Sequence, residues 1–306
     1  MNTMNNDELL KSISDKYNHL GEKPETYLKG LLQAKPITYW DYIQVDTLLT
    51  LQKTRTDFKD EEIFVMYHQV TELTLKMMVH EIKQLSEGEN LSEEVWINKL
   101  ERLKRYTRML ITSFDIMKYG MSYDDYTVFR DTLTPASGFQ SAQFRVLELY
   151  CTRLPNLINN QGRERLPSEP TLEDYFENIY WKDAGLDRRT GKTTLTLRLF
   201  VEKYEKDFKR LAVEVKGKTL EERVAQMPNP SPELKEKLKQ FDHFYNVAWP
   251  IVHLDTAQHF LDSKGETKAA TGGSEWKKYL HPKYQQRKFF PDLWTEEEKE
   301  NWGSEN

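Results

Sequence analysis

TLTLRLFVEKYEKDFKRL, residues 194–211, decides whether this chain contains a sheet. Its opening alternates, with Leu195, Leu197 and Leu199 at every second position, as in a half-buried strand. Carried further, Leu197, Phe200, Val201, Tyr204, Phe208 and Leu211 recur at steps of three and four, the stripe of an amphipathic helix. The longer match wins, because strands run to about eight residues while the helical stripe holds to Leu211. With this segment helical, nothing else in the sequence asks for a sheet, and the expected fold class is all-α.

The same periodicity extends outward. DELLKSISDKYNHL (7–20) spaces Leu9, Leu10, Ile13 and Tyr17 on one face, and TYWDYIQVDTLLTLQ (38–52) does so with Tyr39, Tyr42, Ile43, Leu48 and Leu49. Residues 61–86 form a long helix, apolar on most sides at first and polar from His80 on, as in a buried helix emerging toward solvent. Ser92 caps a helix running to about Met117, with Glu93 and Glu94 in its first turn. Another helix starts near Tyr123, and a further one follows the breaker Ser137-Gly138. Thr171 caps TLEDYFENIYW (171–181). A proline-rich break at 228–232 precedes the stretch that ends in WPIVHL (249–254), where Pro250 kinks or bounds the helix. DSKGETKAATGGSEW (262–276) reads as a long flexible loop. There is no repeat and no linker. The expectation is one domain over 1–294, with 1–30 an N-terminal helical arm and 295–306 a polar, disordered tail.

Composition narrows the function. With 306 residues the chain can bury a sizeable core, and 44 Lys+Arg against 49 Asp+Glu argue against a nucleic-acid binder. One cysteine, Cys151, gives neither an intrachain disulfide nor a cysteine-rich zinc site, and suits a reducing cytoplasm. The start, MNTMNNDELLKS, has no basic region followed by an apolar one, and no stretch approaches the ~20 apolar residues of a membrane span. Sixteen Tyr, 14 Phe and 7 Trp are enough to fill a large core or to line a pocket for a flat ligand.

Two histidines stand in apolar helices: His68 in IFVMYHQVTELTLKMMV (63–79) and His253 in WPIVHLDTAQHF (249–260). No HExxH or Cys/His spacing supports a zinc hydrolase. A lone imidazole on an apolar helix is what a haem iron takes from a protein, although the commoner meaning is a core histidine bonded to a carbonyl. Tyr126 and Arg130, four apart, share one helix face just before the break at Thr134-Pro135. An arginine there can clamp a carboxylate with two parallel hydrogen bonds, or pair with a local acid. Thr271-Gly272-Gly273 could cradle a small polar group, or be only a turn.

Several stretches together resemble tryptophan 2,3-dioxygenases. IFVMYHQVTELTLKMMVHEI (63–82) is similar to the family's F-x-x-x-H-Q-x-x-E-L helix, and FRDTLTPASGFQSAQFRVLE (129–148) to its F-R-x-x-L-x-P-x-S-G-F-Q-S-x-Q-[FY]-R segment. WPIVH (249–253) and ATGGSEW (270–276) resemble its W-[RP]-x-x-H and G-T-G-G-S-S-G. ITYWDYIQVDTLL (37–49) and FFPDLW (289–294) resemble its first and last motifs. The chain departs from the pattern at Thr74, where the family has Trp, and at Glu275-Trp276, where it has Ser-Gly.

The resemblance implies an all-helical bundle holding haem b, assembled as a homotetramer. It implies dioxygen-dependent cleavage of the indole ring of L-tryptophan to N-formylkynurenine. The alternative is a haem-dependent monooxygenase or hydroxylase of tryptophan or another aromatic amino acid on the same fold. By position, His253 matches the axial iron ligand and His68 the histidine that hydrogen-bonds the indole N–H. Phe64 matches the phenylalanine against the indole, Tyr126 an aromatic wall, and Arg130 the arginine on the carboxylate. Leu133 matches an apolar wall residue, Ser137 a serine near the haem, and Thr271 a threonine on the amino-acid head group. Tyr39 and Tyr42 match tyrosines that enter a neighbouring subunit's pocket.

Overall fold

The computed structural model describes residues 4–262, 277 and 280–304. The chain folds as two compact units, Met1–Gln52 and Lys53–Asn306. The first comprises helices α1 (Asn6–His19), α2 (Pro24–Gln33), α3 (Tyr39–Ile43) and α4 (Val45–Leu48). Asn5 and Glu8 form a capping box on α1, and Tyr17 stacks on Tyr27 with ring centroids 3.9 Å apart. The continuous helix expected over 39–49 is broken at Gln44, which is left-handed (φ 58) and separates α3 from α4. This unit leaves much of its apolar surface bare, including Leu31, Leu32, Tyr39, Trp40 and Tyr42.

The second unit is built on two long antiparallel-capable helices, α5 (Asp60–Glu87) and α6 (Glu93–Tyr119), which pack together. On α5, Leu75, Met78, Ile82 and Leu85 are spaced three to four apart and almost wholly buried, each worth ~1.5–3 kcal/mol of transfer free energy. They meet Trp96, Leu100, Leu103 and Leu110 of α6. Ser92 caps α6 as its sequence suggests, accepting from Val95 N–H. The short helix α7 (Tyr123–Phe129) runs into a 3-10 turn, Arg130–Thr132. Helix α8 (Ala142–Cys151) packs on α5. Two short helices, α9 (Asn160–Arg165) and α10 (Leu172–Asn178), follow, the latter with a Thr171/Asp174 capping box.

The deciding segment is helix α11 (Leu195–Glu214), capped by Thr194. Just before it, Leu186–Asp187 pairs with Lys192–Thr193, a minimal antiparallel hairpin that the sequence reading did not anticipate. Asp187 closes its turn by accepting from Arg189 and Thr190 N–H. Phe200 and Phe208 of α11 form a second aromatic cluster with Phe176 and Trp181. The fold is all-α in class apart from this hairpin.

Helices α12 (Leu220–Ala225), α13 (Pro232–His243) and α14 (Trp249–Leu261) complete the bundle, with α13 and α14 both packed on α6. Between the last two lies a π-turn, Phe244–Ala248, in which Trp249 N–H reaches back to the Phe244 carbonyl. Pro250 explains it. Proline has no N–H to give the carbonyl of Asn246, and its ring would collide with that carbonyl in a regular helix. A wider turn relieves the clash and carries the chain through without a stop.

Residues 295–304 do not form the disordered tail expected. Thr295 caps a short helix, Glu296–Glu300, and Trp302 is buried against Trp294, ring centroids 4.9 Å apart. The C-terminal strap is fixed by Asp242 of α13, which is fully buried. Its carboxylate accepts from Phe289 N–H (2.9 Å), Phe290 N–H (3.1 Å), Trp294 Nε1–H (2.9 Å) and Asn246 Nδ2–H (2.8 Å). Asp242→Ala would strand those donors. Urea denaturation should show a loss of about 3–5 kcal/mol. A loss under about 1 kcal/mol would mean that the strap is held by its aromatic packing instead.

Candidate functional site

A cavity of about 520 Å³ opens in the second unit among α5, α6, α7, α8 and α14. Helix α14 turns one face to it, through Trp249, Pro250, His253, Thr256, Ala257 and Phe260. These positions recur at three- and four-residue steps, so the apolar stripe legible in WPIVHLDTAQHF is the cavity wall. Across from it, α5 contributes Phe64, Tyr67 and His68, and α6 contributes Phe114.

The two histidines in apolar helices therefore face one cavity. His68 lies over Phe64, ring centroids 4.2 Å apart, and its Nδ1–H donates to the Phe64 carbonyl at 2.8 Å. That bond fixes the tautomer and leaves Nε2 as an acceptor. Burial lowers its pKa, so the ring is neutral at physiological pH. The imidazole of His253 is open to the cavity, beside Phe114 at 5.3 Å, and has no hydrogen-bond partner among the described residues. Desolvation, aided by His68, pushes its pKa down to about 4. It presents a neutral nitrogen lone pair to an apolar space.

Arg130 begins the 3-10 turn after α7 and is buried at the cavity wall, 5 % exposed. Its ion pair with Asp131 is long, 3.4 Å, and that partner is mostly in water. The phenol of Tyr126 sits against the guanidinium, with its pKa raised by burial and partly restored by Arg130. Tyr126 packs on Phe260 at 4.2 Å and on Phe64 at 6.0 Å, continuing the aromatic wall. Leu133 and Ser137 also line the cavity, and Ser137 caps the turn Gly138–Gln140.

Of the residues singled out in the sequence, Phe64, His68, Tyr126, Arg130, Leu133, Ser137 and His253 thus border one space. Tyr39 and Tyr42 lie on α3 in the first unit, both exposed. Thr271 lies outside the described residues. Glu72, Arg145, Tyr180 and Arg287 border the cavity without having been anticipated. Arg145 stands within the quoted 129–148 segment, so its place was available as a signal. Tyr180 and Arg287 enter from distant parts of the chain, with nothing local to mark them.

The donor set tests which metal group could fit. Among the described residues no three His, Cys, Asp or Glu side chains come together to cage an ion. One partnerless neutral imidazole in an apolar cavity suits a metal whose other ligands come from its own macrocycle, which is the haem case. The wall also carries the guanidiniums of Arg145 and Arg287, and a porphyrin bears carboxylates. The residues present fit a haem.

Comparison with known proteins agrees. A family model described as tryptophan 2,3-dioxygenase matches residues 29–199. The tryptophan 2,3-dioxygenase of Caulobacter vibrioides is 31 % identical over 274 residues, covering 86 % of this chain and 98 % of its own. That of Bacillus thuringiensis subsp. konkukian is 30 % identical over 269 residues, 85 % of this chain and 91 % of its own. That of Ruegeria sp. strain TM1040 is 28 % identical over 275 residues, 86 % and 92 %. The match takes in α5, the turn after α7, and α8, which carry His68, Arg130 and Arg145, and on these grounds the chain belongs to the tryptophan 2,3-dioxygenase family.

Proposed function

We propose that this protein cleaves the indole ring of L-tryptophan with dioxygen, giving N-formylkynurenine, with haem b as its cofactor. The observation that carries the reading is one largely apolar cavity lined by a neutral imidazole that has no hydrogen-bond partner among the described residues, an aromatic wall and a buried guanidinium. His253 would hold the iron. When bound, the haem supplies the dioxygen site and the redox chemistry, and because both oxygen atoms enter the product no external reductant is consumed.

The chain's own residues position the substrate. Phe64 and Tyr126 offer flat walls to the indole. Nε2 of His68, fixed as an acceptor by the bond from Nδ1 to Phe64, takes the indole N–H. Arg130 takes the carboxylate through its fork of donors. Since His68 is neutral and desolvated, its role is orientation more than proton transfer. The apolar lining disfavours water, and with the substrate in place this strengthens each polar contact within. The monooxygenase alternative is not favoured, since the relatives that match over most of their length are tryptophan 2,3-dioxygenases.

A homotetramer is part of this reading. The first unit exposes Leu31, Leu32, Tyr39, Trp40 and Tyr42, a surface that asks for a partner, and Tyr39 and Tyr42 would meet a neighbour's pocket. No described helix is long and apolar enough to cross a membrane. The cytoplasm is the compartment we assign.

The test is to reduce the protein without air, add tryptophan, admit labelled dioxygen, and weigh the product. Ring-opened product with both atoms labelled is expected, and a singly labelled hydroxylated product would instead establish the monooxygenase.

His253→Ala should abolish haem retention and its Soret band, with added imidazole restoring both. Full retention with an unchanged spectrum and no imidazole would place the ligand elsewhere.

Arg130→Ala leaves the substrate carboxylate without a partner in a dry pocket, which costs about 2–5 kcal/mol, at least about 30-fold in kcat/KM for tryptophan. Tryptamine, which lacks the carboxylate, should be affected far less, and equal losses on both substrates would refute this placement of Arg130.

A further inference from the structure

Helix α5 carries a second apolar stripe, on the side turned away from the bundle. Leu75, Met78, Ile82 and Leu85 are buried inside, while Met66, Val70, Leu73 and Met77 are between 38 % and 49 % exposed. None of these four lines the cavity. An apolar residue alone on a surface needs no explanation, but four along one helix make a patch that marks a contact. Their steps of four, three and four are those of a coiled-coil seam, with Met66 and Leu73 at d positions and Val70 and Met77 at a positions.

The stripe is complementary to itself. Turned end for end about an axis between Val70 and Leu73, it brings Met66 onto Met77 of the partner subunit and Val70 onto Leu73 of the partner subunit. Each a position then meets a d position, which is a closed two-fold contact. The charges alongside agree. Glu62, Gln69, Lys76 and Lys83 are the g positions that flank the stripe on one edge. In the antiparallel arrangement these edges meet, so that Glu62 faces Lys83 of the partner subunit and Lys76 faces the uncharged Gln69 of the partner subunit. Lys83 reaches its own Glu87 only at 3.9 Å, with both side chains about half exposed. A parallel arrangement would turn the same lysines onto the e edge, Tyr67, Thr74 and Glu81, which is buried in the bundle. Its one acid, Glu81, is already paired with Lys99 at 2.7 Å and Arg102 at 3.1 Å.

We propose that the outer face of α5 pairs antiparallel with the same face of a second copy of this chain, making α5 a two-fold seam of the assembly. This rests on the homotetramer reading and deepens it. A tetramer of dihedral symmetry needs two kinds of two-fold contact, and the apolar surface of the first unit supplies one and the α5 seam the other. Since α5 also brings Phe64 and His68 to the cavity, the seam backs the wall of the site in each copy.

The test uses full-length protein with its haem. Leu73→Glu sets two carboxylates into each seam. Sedimentation should give four chains for wild type and two for the variant, with the association of the pairs weakened at least about 100-fold, while the Soret band and the helical circular dichroism are kept. Four chains retained on dilution of Leu73→Glu overturns the seam and leaves the tetramer standing. Register is read without that variant. Met66→Cys/Met77→Cys puts two thiols about 16 Å apart on one helix, beyond a short bis-maleimide, whereas antiparallel copies bring them together. The native Cys151 is buried. Cross-linked pairs of chains are expected on a denaturing gel from the double variant and from neither single one. Cross-linking of Met66→Cys alone would establish parallel pairing. No cross-link in a double variant that still sediments as four chains would mean that another surface, such as the first unit of a neighbour, covers the stripe. Either result overturns the inference. A wild type of two chains whose double variant cross-links supports the seam and defeats the tetramer, and a wild type of one chain defeats both.

Discussion

A carboxylate that meets no water organises the C-terminal third of this chain. Burial works against the ionised form of Asp242, and four donors from the strap and from Asn246 work in its favour. The two depend on each other. The strap takes the place of solvent for Asp242, and Asp242 gives the amides of Phe289 and Phe290 their acceptor. Arg287 lies two residues before that clamp, so its presence at the cavity wall follows from a hydrogen-bond requirement on α13. Without the clamp, the strap's aromatic residues would still seek the core, but nothing would fix their register along it.

The cavity itself works by exclusion. Its walls are largely apolar rings, and the few polar groups admitted are held in place by neighbouring protein groups. His68 is tied to its own helix through the Phe64 carbonyl, and Arg130 sits at a turn beside Tyr126. Glu72 is held to α8 by the Gln143 amide, at 2.7 Å to its carbonyl and 2.9 Å to its carboxylate. Desolvation keeps both imidazoles uncharged, so that one can accept a proton-bearing group and the other can offer a lone pair to a metal. A wetter pocket with the same residues would have neither property to the same degree.

The long helices were legible because periodicity marks them, and Ser92 and Thr171 cap helices where the sequence places them. Short-range exceptions were not. Gln44 adopts a left-handed conformation that glycine more often supplies, and no neighbouring residue announces it. Trp302 is buried although it stands in a charged stretch, because one large ring outweighs the polar residues around it once Trp294 is there to receive it. In the cavity, His68, Tyr126 and Arg130 could be picked out because they lie in contiguous motifs that one or two helices carry. Tyr180 and Arg287 meet Glu148 only through tertiary packing, and that encounter has no one-dimensional signature.

The π-turn at Phe244–Ala248 turns chain length into rotational phase. In an α-helix each added residue advances the side-chain direction by about 100°. A single residue more or less in this turn is therefore a rotation of everything that follows, with almost no translation. The azimuth of His253 is set seven residues upstream of it by the carbonyl that Pro250 displaces. In homologous chains, an insertion or deletion at this turn would leave WPIVH intact as a string and aim its histidine at a different wall.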